Sequence, residues 1–242
     1  MTQVLAHRGA SKAERENTLE AFRAAGRMGS DAVELDVRRT RDGVLVVHHD
    51  PLIENGRAIV DLDFSALPSH VPTLDAALDA CDGMWVNVEI KNDPSEPDFD
   101  PTDDIADRTI AVLRERGEDD RWLISSFRLE TVDRCRGLAE SIRTAWLVTE
   151  IPDDVIATIV ARGHAALHPW VGLLNRSHID LCHGAGIEVN TWTCDDPDRM
   201  AELIEWGIDG ICTNVPDVAL DVIAGRFVPS AADVERQPTD DG

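Results

Sequence analysis

Charged residues occur at two-residue spacing inside two short apolar runs of this sequence. Glu34 and Asp36 share one run, and Glu89 and Lys91 share another. Residues two apart in an extended strand point to the same face, so each pair presents its side chains together. Buried carboxylates are costly unless a cation compensates them. If Glu34, Asp36 and Glu89 converge, a divalent ion that prefers oxygen ligands, Mg²⁺ or Ca²⁺, would compensate them.

Salt bridges are the alternative to a metal ion at these carboxylates. Arg8, Arg38 and Lys91 are near enough in sequence to pair with them, and the spacing leaves both interpretations open. Lys91 stands out because the chain has only one other lysine, Lys12. A metal ion together with Arg8 and Lys91 would form a cationic pocket in an acidic protein. Such a pocket suits a phosphate group.

Two histidines, His7 and His49, follow apolar runs, where a substrate could reach them. Histidine is the natural proton-transfer group near neutral pH. One such histidine alone is more often structural, but two beside three carboxylates, an arginine and a lysine indicate phosphodiester cleavage. His48 should face away from His49 in an extended chain, so the two make a poor metal chelate. We expect no catalytic role for the histidines assigned to helix ends or loops, which are His70, His164, His168, His178 and His183.

Short apolar runs that alternate with amphipathic segments must position these groups. Strands are predicted at 4–7, 32–37, 85–90, 122–125, 144–148, 165–168, 188–192 and 210–212, with a further run at 44–48 after the turn at Asp42-Gly43. Helical periodicity is visible at 18–28, 103–116, 153–161 and 198–206. Eight strand–helix units in about 225 residues predict a TIM (β/α)₈ barrel, in which functional groups lie at the C-terminal ends of the strands. An open doubly wound sheet is the alternative, but the first strand is not followed by a glycine-rich phosphate loop.

Composition excludes several classes of protein. The 46 acidic and 23 basic residues give a net charge of −23, which disfavours nucleic acids and anionic membranes as partners. We therefore expect no stable membrane association, and like-charge repulsion favours a monomer. The chain has no apolar run near the roughly 20 residues of a membrane span, and no secretory signal is visible at its start. The five widely spaced cysteines fit reduced thiols, so we expect a cytoplasmic protein with an acidic surface of the halophilic type.

We expect one barrel domain over residues 1–227. Residues 228–242 are polar and acidic and are expected to form a disordered tail.

The motifs, taken in order, resemble those of the glycerophosphodiester phosphodiesterase family. The resemblance extends from residue 4 to residue 218 and is specific as a set, although each motif alone would be weak. The matching segments are His7-Arg8-Gly9, Glu16-Asn17-Thr18, Glu34-Leu35-Asp36-Val37, Thr40-Arg41-Asp42-Gly43, Val46-Val47-His48-His49-Asp50-Pro51-Leu52, Pro72-Thr73-Leu74, Asn87-Val88-Glu89-Ile90-Lys91, Ser126-Phe127, Trp192-Thr193 and Gly207-Ile208-Asp209-Gly210-Ile211-Cys212-Thr213.

The resemblance implies a TIM barrel of the phosphatidylinositol phosphodiesterase-like kind and metal-dependent hydrolysis of a small glycerophosphodiester, within glycerol and lipid metabolism. It implies a divalent ion at the three carboxylates, His7 and His49 as the acid and base in unassigned order, and Arg8 and Lys91 as contacts to phosphate or substrate. Trp192 would form one wall of the substrate pocket or belong to the core. The resemblance implies that the first βα loop, with Glu16 and Asn17, lines the active-site mouth. Asn17 could instead cap the helix that begins near Thr18, and this is the role we expect for it.

The sequence departs from the family pattern in two places. After His49-Asp50 it lacks the Arg-Thr pair and the glycine-rich stretch, which leaves the preferred alcohol group open. Asn214 follows Thr213 where the family usually has aspartate. A lipid phosphodiesterase of the phospholipase C or D kind is one alternative function, although no apolar or basic rim is evident. A non-catalytic barrel that binds a phosphorylated metabolite is another, but binding alone does not require paired acid and base groups.

Overall fold

Eight parallel strands close into a ring in the computed structural model, which describes residues 1–227. Each ring strand pairs with its two neighbours, and β1 closes the ring by pairing with both β2 and β9. A ninth strand, β3, lies antiparallel beside β2. The predicted TIM (β/α)₈ barrel is confirmed. The strands are β1 Gln3–His7, β2 Ala32–Arg39, β3 Leu45–Val47, β4 Trp85–Ile90, β5 Trp122–Ser126, β6 Arg143–Val148, β7 Ala166–Pro169, β8 Glu188–Thr191 and β9 Gly210–Thr213.

Helices connect the strands and cover the outside of the ring. Some of them begin at side-chain caps: Thr73 accepts a hydrogen bond from the backbone of Ala76 at the start of α2, and Asp196 caps α7 with Pro197 at its first position. Gly163 ends α5 in the left-handed conformation. The helices are α1 Leu19–Met28, α2 Leu74–Ala80, α3 Asp104–Arg116, α4 Leu129–Leu138, α5 Val155–Arg162, α6 Arg176–Gly184, α7 Pro197–Glu205 and α8 Pro216–Ile223.

The apolar core lies mainly between the ring and the helices. One cluster of buried side chains packs α1 to α4 against their strands, and a second packs α5 to α8 against the rest. Burial of large apolar side chains such as Phe22 and Leu113 is the main stabilising term for such a layered fold. Because the main apolar core lies outside the ring, polar side chains can point into the ring near one of its ends.

The chain leaves the ring after β2. Gly43, with φ of 84°, allows a tight turn, and β3 returns antiparallel with Val47 opposite Val37. The following segment, to Pro72, contains two short 3₁₀ turns, Ile59–Asp61 and Phe64–Ala66. We call residues 45–72 the excursion. It has a small apolar core of its own, built around Ile59, Leu62 and Val71.

All five cysteines are buried and unpaired in the described part of the chain, as expected for reduced thiols. Among residues 1–227, no helix is both long and apolar enough to cross a bilayer. The acidic tail predicted at 228–242 lies outside the described residues.

Candidate active site

The register of the strands brings the three predicted carboxylates together at one end of the ring. His7 on β1 is level with Glu34 on β2, and Asp36 on β2 is level with Glu89 on β4. The carboxylate oxygens of Glu34, Asp36 and Glu89 lie within 4.8 Å of one another, and all three residues are buried. The two-residue spacing predicted that the charged side chains of each strand share one face. The pairing of β2 with β4 brings these two faces side by side, so that their carboxylates form one cluster.

Two cations lie against this cluster. Lys91 Nζ is 3.0 Å from Asp36 Oδ1 and also contacts Glu89 Oε1, and Arg8 Nε is 3.3 Å from Asp36 Oδ2. Burial acts to raise the pKa of Asp36, but Lys91 and Arg8 lower it overall. Salt bridges at these carboxylates are thus present. Arg38, one of the cations considered, pairs elsewhere.

The salt bridges do not balance the charge of the cluster. Three carboxylates face two cations, and Arg8 also pairs with Glu16 at 3.1 Å. Burial, together with the nearby charges of Asp36 and Glu89, raises the pKa of Glu34 well above its ordinary value. Among residues 1–227, the buried Oε1 of Glu34 has no hydrogen-bond partner. Three hard oxygen donors with unused acceptor capacity fit a divalent cation such as Mg²⁺ or Ca²⁺.

His7 approaches the cluster from the end of β1. Its Nδ1 lies 2.7 Å from Asn214 Oδ1, and its Nε2 lies 4.0 Å from Glu34 Oε2. Burial, reinforced by the positive charge of Arg8, lowers the pKa of His7. A lowered pKa favours the neutral imidazole, and Nε2 is the ring nitrogen on the side of the carboxylates.

His49 approaches from the excursion, and its position depends on Arg38, which the sequence suggested only as a salt-bridge partner of the carboxylates. Arg38, fully buried on β2, donates from Nε and Nη2 to the backbone oxygen of His49. Its Nη1 bonds Asp98 at 2.7 Å and Glu96 at 2.9 Å. Arg38 continues the two-residue spacing of Glu34 and Asp36, which was the available signal. It links the excursion to the loop after β4.

Asn17 does not cap α1, so that prediction is wrong. The cap is Thr18, whose side chain accepts from the backbone of Ala21. Asn17 instead adopts φ of 56° and donates from Nδ2 to Asp36 Oδ2 at 2.7 Å. Asn17, the loop residue before the cap, thereby becomes part of the wall around the carboxylates. A capping preference is local, whereas this contact joins the loop after β1 to the neighbouring strand β2, so helix-capping preference carried no signal for it.

A cavity of about 250 Å³ opens beside the cluster. Trp192 lines it and meets Phe127 edge to face, with ring centres 5.3 Å apart. The Trp192 indole N–H donates to the backbone oxygen of His168. The strand predicted at 165–168 contains His168, and the grouping of this histidine with those of loops and helix ends is wrong, because it lies in β7 and also lines the cavity. Burial, with a smaller contribution from Arg143, lowers its pKa to about 3.

The structure therefore places all eight predicted site residues around one cavity mouth. Seven line the cavity directly, and Asp36 lies behind them in the carboxylate cluster. The seven are His7, Arg8, Glu34, His49, Glu89, Lys91 and Trp192.

Comparisons with known proteins show which family this chain resembles. The family model described as the glycerophosphoryl diester phosphodiesterase family matches residues 7–218. A glycerophosphodiester phosphodiesterase from Caldanaerobacter subterraneus subsp. tengcongensis is 28% identical and covers 92% of this chain and 98% of its own. One from Bacillus altitudinis is 27% identical, with 92% and 98% covered.

Solved structures show the same fold. A phosphodiesterase from Oleispira antarctica, in complex with the product sn-glycerol-3-phosphate, superposes with a TM-score of 0.85 at 24% identity, over 93% of this chain and 97% of that one. A glycerophosphodiester phosphodiesterase from Parabacteroides distasonis gives a TM-score of 0.81 at 24% identity, over 93% and 98%.

Proposed function

The chain belongs to the glycerophosphoryl diester phosphodiesterase family and is a phosphodiester hydrolase, and we propose that it hydrolyses small glycerophosphodiesters at a divalent-metal site using two histidines. The products are a glycerol phosphate and a free alcohol. One observation carries this proposal. Three buried carboxylates, with their oxygens within 4.8 Å of one another, lie beside a cavity that is lined by two histidines from different parts of the chain.

Glu34, Asp36 and Glu89 would hold the metal ion through carboxylate oxygens. When bound there, a divalent ion supplies positive charge that polarises the phosphoryl group and offsets negative charge developing on its oxygens. Arg8 and Lys91 line the same cavity and add cationic contacts to the phosphate. Asn17 holds Asp36 from behind and fixes the direction of its carboxylate.

His7 and His49 line the cavity and are the groups that move protons. One takes a proton from the attacking hydroxyl, either water or the neighbouring glycerol hydroxyl, and the other gives a proton to the departing alkoxide. Both roles need a ring nitrogen facing the reacting atoms, with the other nitrogen held by a partner. Asn214 is that partner for His7, and Asp50 Oδ1, 2.8 Å from Nδ1, is that partner for His49.

Phe127 and Trp192 form the apolar side of the cavity. Their rings exclude water from one side of the bound phosphodiester and favour the carbon-bearing part of the substrate. The cavity of about 250 Å³ favours a small, deacylated substrate.

The test is release of glycerol phosphate from glycerophosphocholine and glycerophosphoethanolamine in high salt, with Mg²⁺, Ca²⁺, Mn²⁺ or EDTA. We expect turnover with at least one metal ion and its loss with EDTA. Folded protein that releases no glycerol phosphate with any of the three ions would contradict the proposal. Release that persists unchanged in EDTA, after extensive dialysis against chelator, would contradict its metal dependence.

A further inference from the structure

His7 is bonded to an amide whose direction is fixed from behind. The side-chain oxygen of Asn214 lies 2.7 Å from His7 Nδ1 and also accepts from Ser11 Oγ at 2.9 Å. Asn214 directly follows β9, the strand that pairs with β1, so the two residues meet across adjacent strands. This is the position where the family pattern led us to expect aspartate.

Asp195 determines which end of the Asn214 amide faces His7. The amide Nδ2 donates to Asp195 Oδ2 at 2.7 Å, and the backbone N–H of Asn214 donates to Asp195 Oδ1 at 2.8 Å. The hydroxyl of Thr213 also donates to Oδ1, at 2.9 Å. A carboxylate only accepts hydrogen bonds, so the NH₂ end of Asn214 must face Asp195 and its oxygen must face His7.

An oxygen beside Nδ1 requires the imidazole proton to be on Nδ1. Neutral His7 then has a free lone pair on Nε2, the nitrogen 4.0 Å from Glu34 Oε2 and directed at the carboxylate cluster. We propose that Asn214, aligned by Asp195, is a positioning residue that holds His7 in this tautomer and makes Nε2 the proton acceptor of the reaction. The inference rests on the proposed function for its catalytic consequence.

The proton transfer follows from that arrangement. The O–H bond of the attacking hydroxyl breaks, its proton forms a bond to His7 Nε2, and the electron pair left on oxygen forms the new bond to phosphorus. The bond from phosphorus to the leaving alcohol oxygen breaks with its electron pair going to that oxygen, which takes a proton from His49. The imidazolium so formed on His7 has its second N–H bonded to Asn214 Oδ1. Asp195 never contacts His7 in this scheme and acts only through Asn214.

Asp195→Asn is the sharpest variant. It places an NH₂ group opposite the NH₂ of Asn214, and a half-turn of the Asn214 amide relieves this clash. Nδ2 of Asn214 then faces His7 Nδ1, so the imidazole proton moves to Nε2 and the lone pair needed for proton transfer is lost. We expect kcat to fall about 10²-fold, the low end for general acid–base catalysis, with little change in KM.

A double exchange tests the same point by rescue. Asn214→Asp alone puts two carboxylates face to face, and we expect it to be destabilised. Asn214→Asp combined with Asp195→Asn restores a donor opposite an acceptor and again presents an oxygen to His7. We expect the double variant to recover most of the kcat that Asp195→Asn loses and most of the stability that Asn214→Asp loses, which a merely structural loss at either position would not do.

The ¹⁵N chemical shifts of the His7 ring, measured in full-length protein without substrate, report the tautomer directly. We expect the Nδ1–H form in the wild type and the Nε2–H form in Asp195→Asn. The matched control is Asp209→Asn, because Asp209 bonds His183 at 2.8 Å at the opposite end of the ring. It should leave both kcat and the His7 shifts unchanged.

An Asp195→Asn variant that keeps the wild-type His7 shifts, or a double variant no better than the singles, would overturn the inference. The tautomer is measured without turnover, so failure of the inference is distinguishable from failure of the proposed function. Wild-type protein that hydrolyses no diester but shows the Nδ1–H form would contradict the function alone.

Discussion

The two histidines reach the carboxylates from regions built in different ways. His7 belongs to a ring strand that is hydrogen-bonded on both sides, its side chain is 16% exposed, and its partner is a neutral amide. His49 lies in the excursion outside the ring, its side chain is 35% exposed, and its partner is the carboxylate of Asp50. The ring positions His7 through its backbone ladder, whereas side-chain bonds from Arg38 position His49. Substitutions around His7 and around His49 should therefore lower activity for different reasons.

Removal of either histidine is the largest change that this comparison predicts. His7→Ala and His49→Ala should each lower kcat at least about 10²-fold, because each removes one proton-transfer group. His48→Ala is the matched control, since His48 is adjacent to His49 but its ring bonds the backbone oxygen of Asp50. Steady-state kinetics on glycerophosphocholine would check the result. A His49→Ala variant with near wild-type turnover would remove the excursion from the catalytic site.

Arg38→Gln should separate the two regions. It releases the His49 backbone and leaves Asp98, whose side chain is 5% exposed, without its cation. Breaking a buried pair in this way typically costs about 3–5 kcal/mol of stability, and we expect a roughly tenfold loss of kcat/KM from the misplaced imidazole. Chemical denaturation and kinetics would measure both effects.

The control for Arg38 is its neighbour Arg39. Arg39 pairs with Asp104 at 2.6 Å and has no bond to His49. Arg39→Gln should cost about 1 kcal/mol or less, as for other partly exposed pairs, and leave activity intact. Equal losses of kcat/KM in the two variants would show that the hydrogen bonds from Arg38 to the His49 backbone have no special role.

The ring region should be acid-sensitive because it buries neutral histidine. The pKa of His168 is about 3 in the folded protein against an ordinary value of 6.5, so between these pH values only the unfolded chain binds the proton. The free energy of unfolding should then fall by up to about 1.4 kcal/mol per pH unit as pH decreases below 6.5. Denaturation curves recorded at several pH values would measure this pH dependence of the free energy of unfolding. His168→Gln should reduce it, whereas His183→Gln, which replaces an exposed histidine, should not. Identical slopes in wild type and His168→Gln would contradict the burial argument.

The smallest expected effect concerns the exposed partner of His49. Asp50 has a side chain that is 70% exposed, and such a pair contributes about 1 kcal/mol at most. Asp50→Asn should therefore lower kcat no more than about fivefold, and the effect should shrink in 1 M salt through screening. The loss in Asp195→Asn should persist in high salt because it follows from hydrogen-bond direction. If the kcat losses of Asp50→Asn and Asp195→Asn responded to salt in the same way, this would contradict the distinction between the supports of His49 and His7.

The sequence predicted the ring and most of its polar lining because both depend on periodicity along single strands. Two-residue spacing placed Glu34 with Asp36 and Glu89 with Lys91, and strand ends located His7 and His49. It did not predict contacts that depend on how separate segments meet. Asn17 bonds a carboxylate of β2 through a left-handed backbone, and Arg38 reaches two loops at once. Propensity and spacing contain no information on such tertiary contacts.

The choice between salt bridges and a metal ion at the carboxylates was left open by the sequence. The structure contains salt bridges from Arg8 and Lys91 and a cluster of three carboxylates that could also hold an ion. The central claim of this account is that Glu34, Asp36 and Glu89 together hold one divalent ion. Glu34 tests it best because neither Lys91 nor the Arg8 guanidinium is paired with it. Within residues 1–227 its carboxylate accepts one hydrogen bond, from the Arg8 backbone N–H at 3.0 Å. Glu16→Gln, at the exposed mouth, is the matched control.

The most direct measurement is titration of metal-free protein with Mn²⁺, with free ion followed by electron paramagnetic resonance. The account predicts one ion per wild-type chain, displaced by Mg²⁺ or Ca²⁺, with binding unchanged in Glu16→Gln and weakened at least about tenfold in Glu34→Gln, in the range seen when groups around a metal site are removed. Folded wild-type protein that binds no Mn²⁺, or Glu34→Gln that binds it as tightly as the wild type, would contradict the claim.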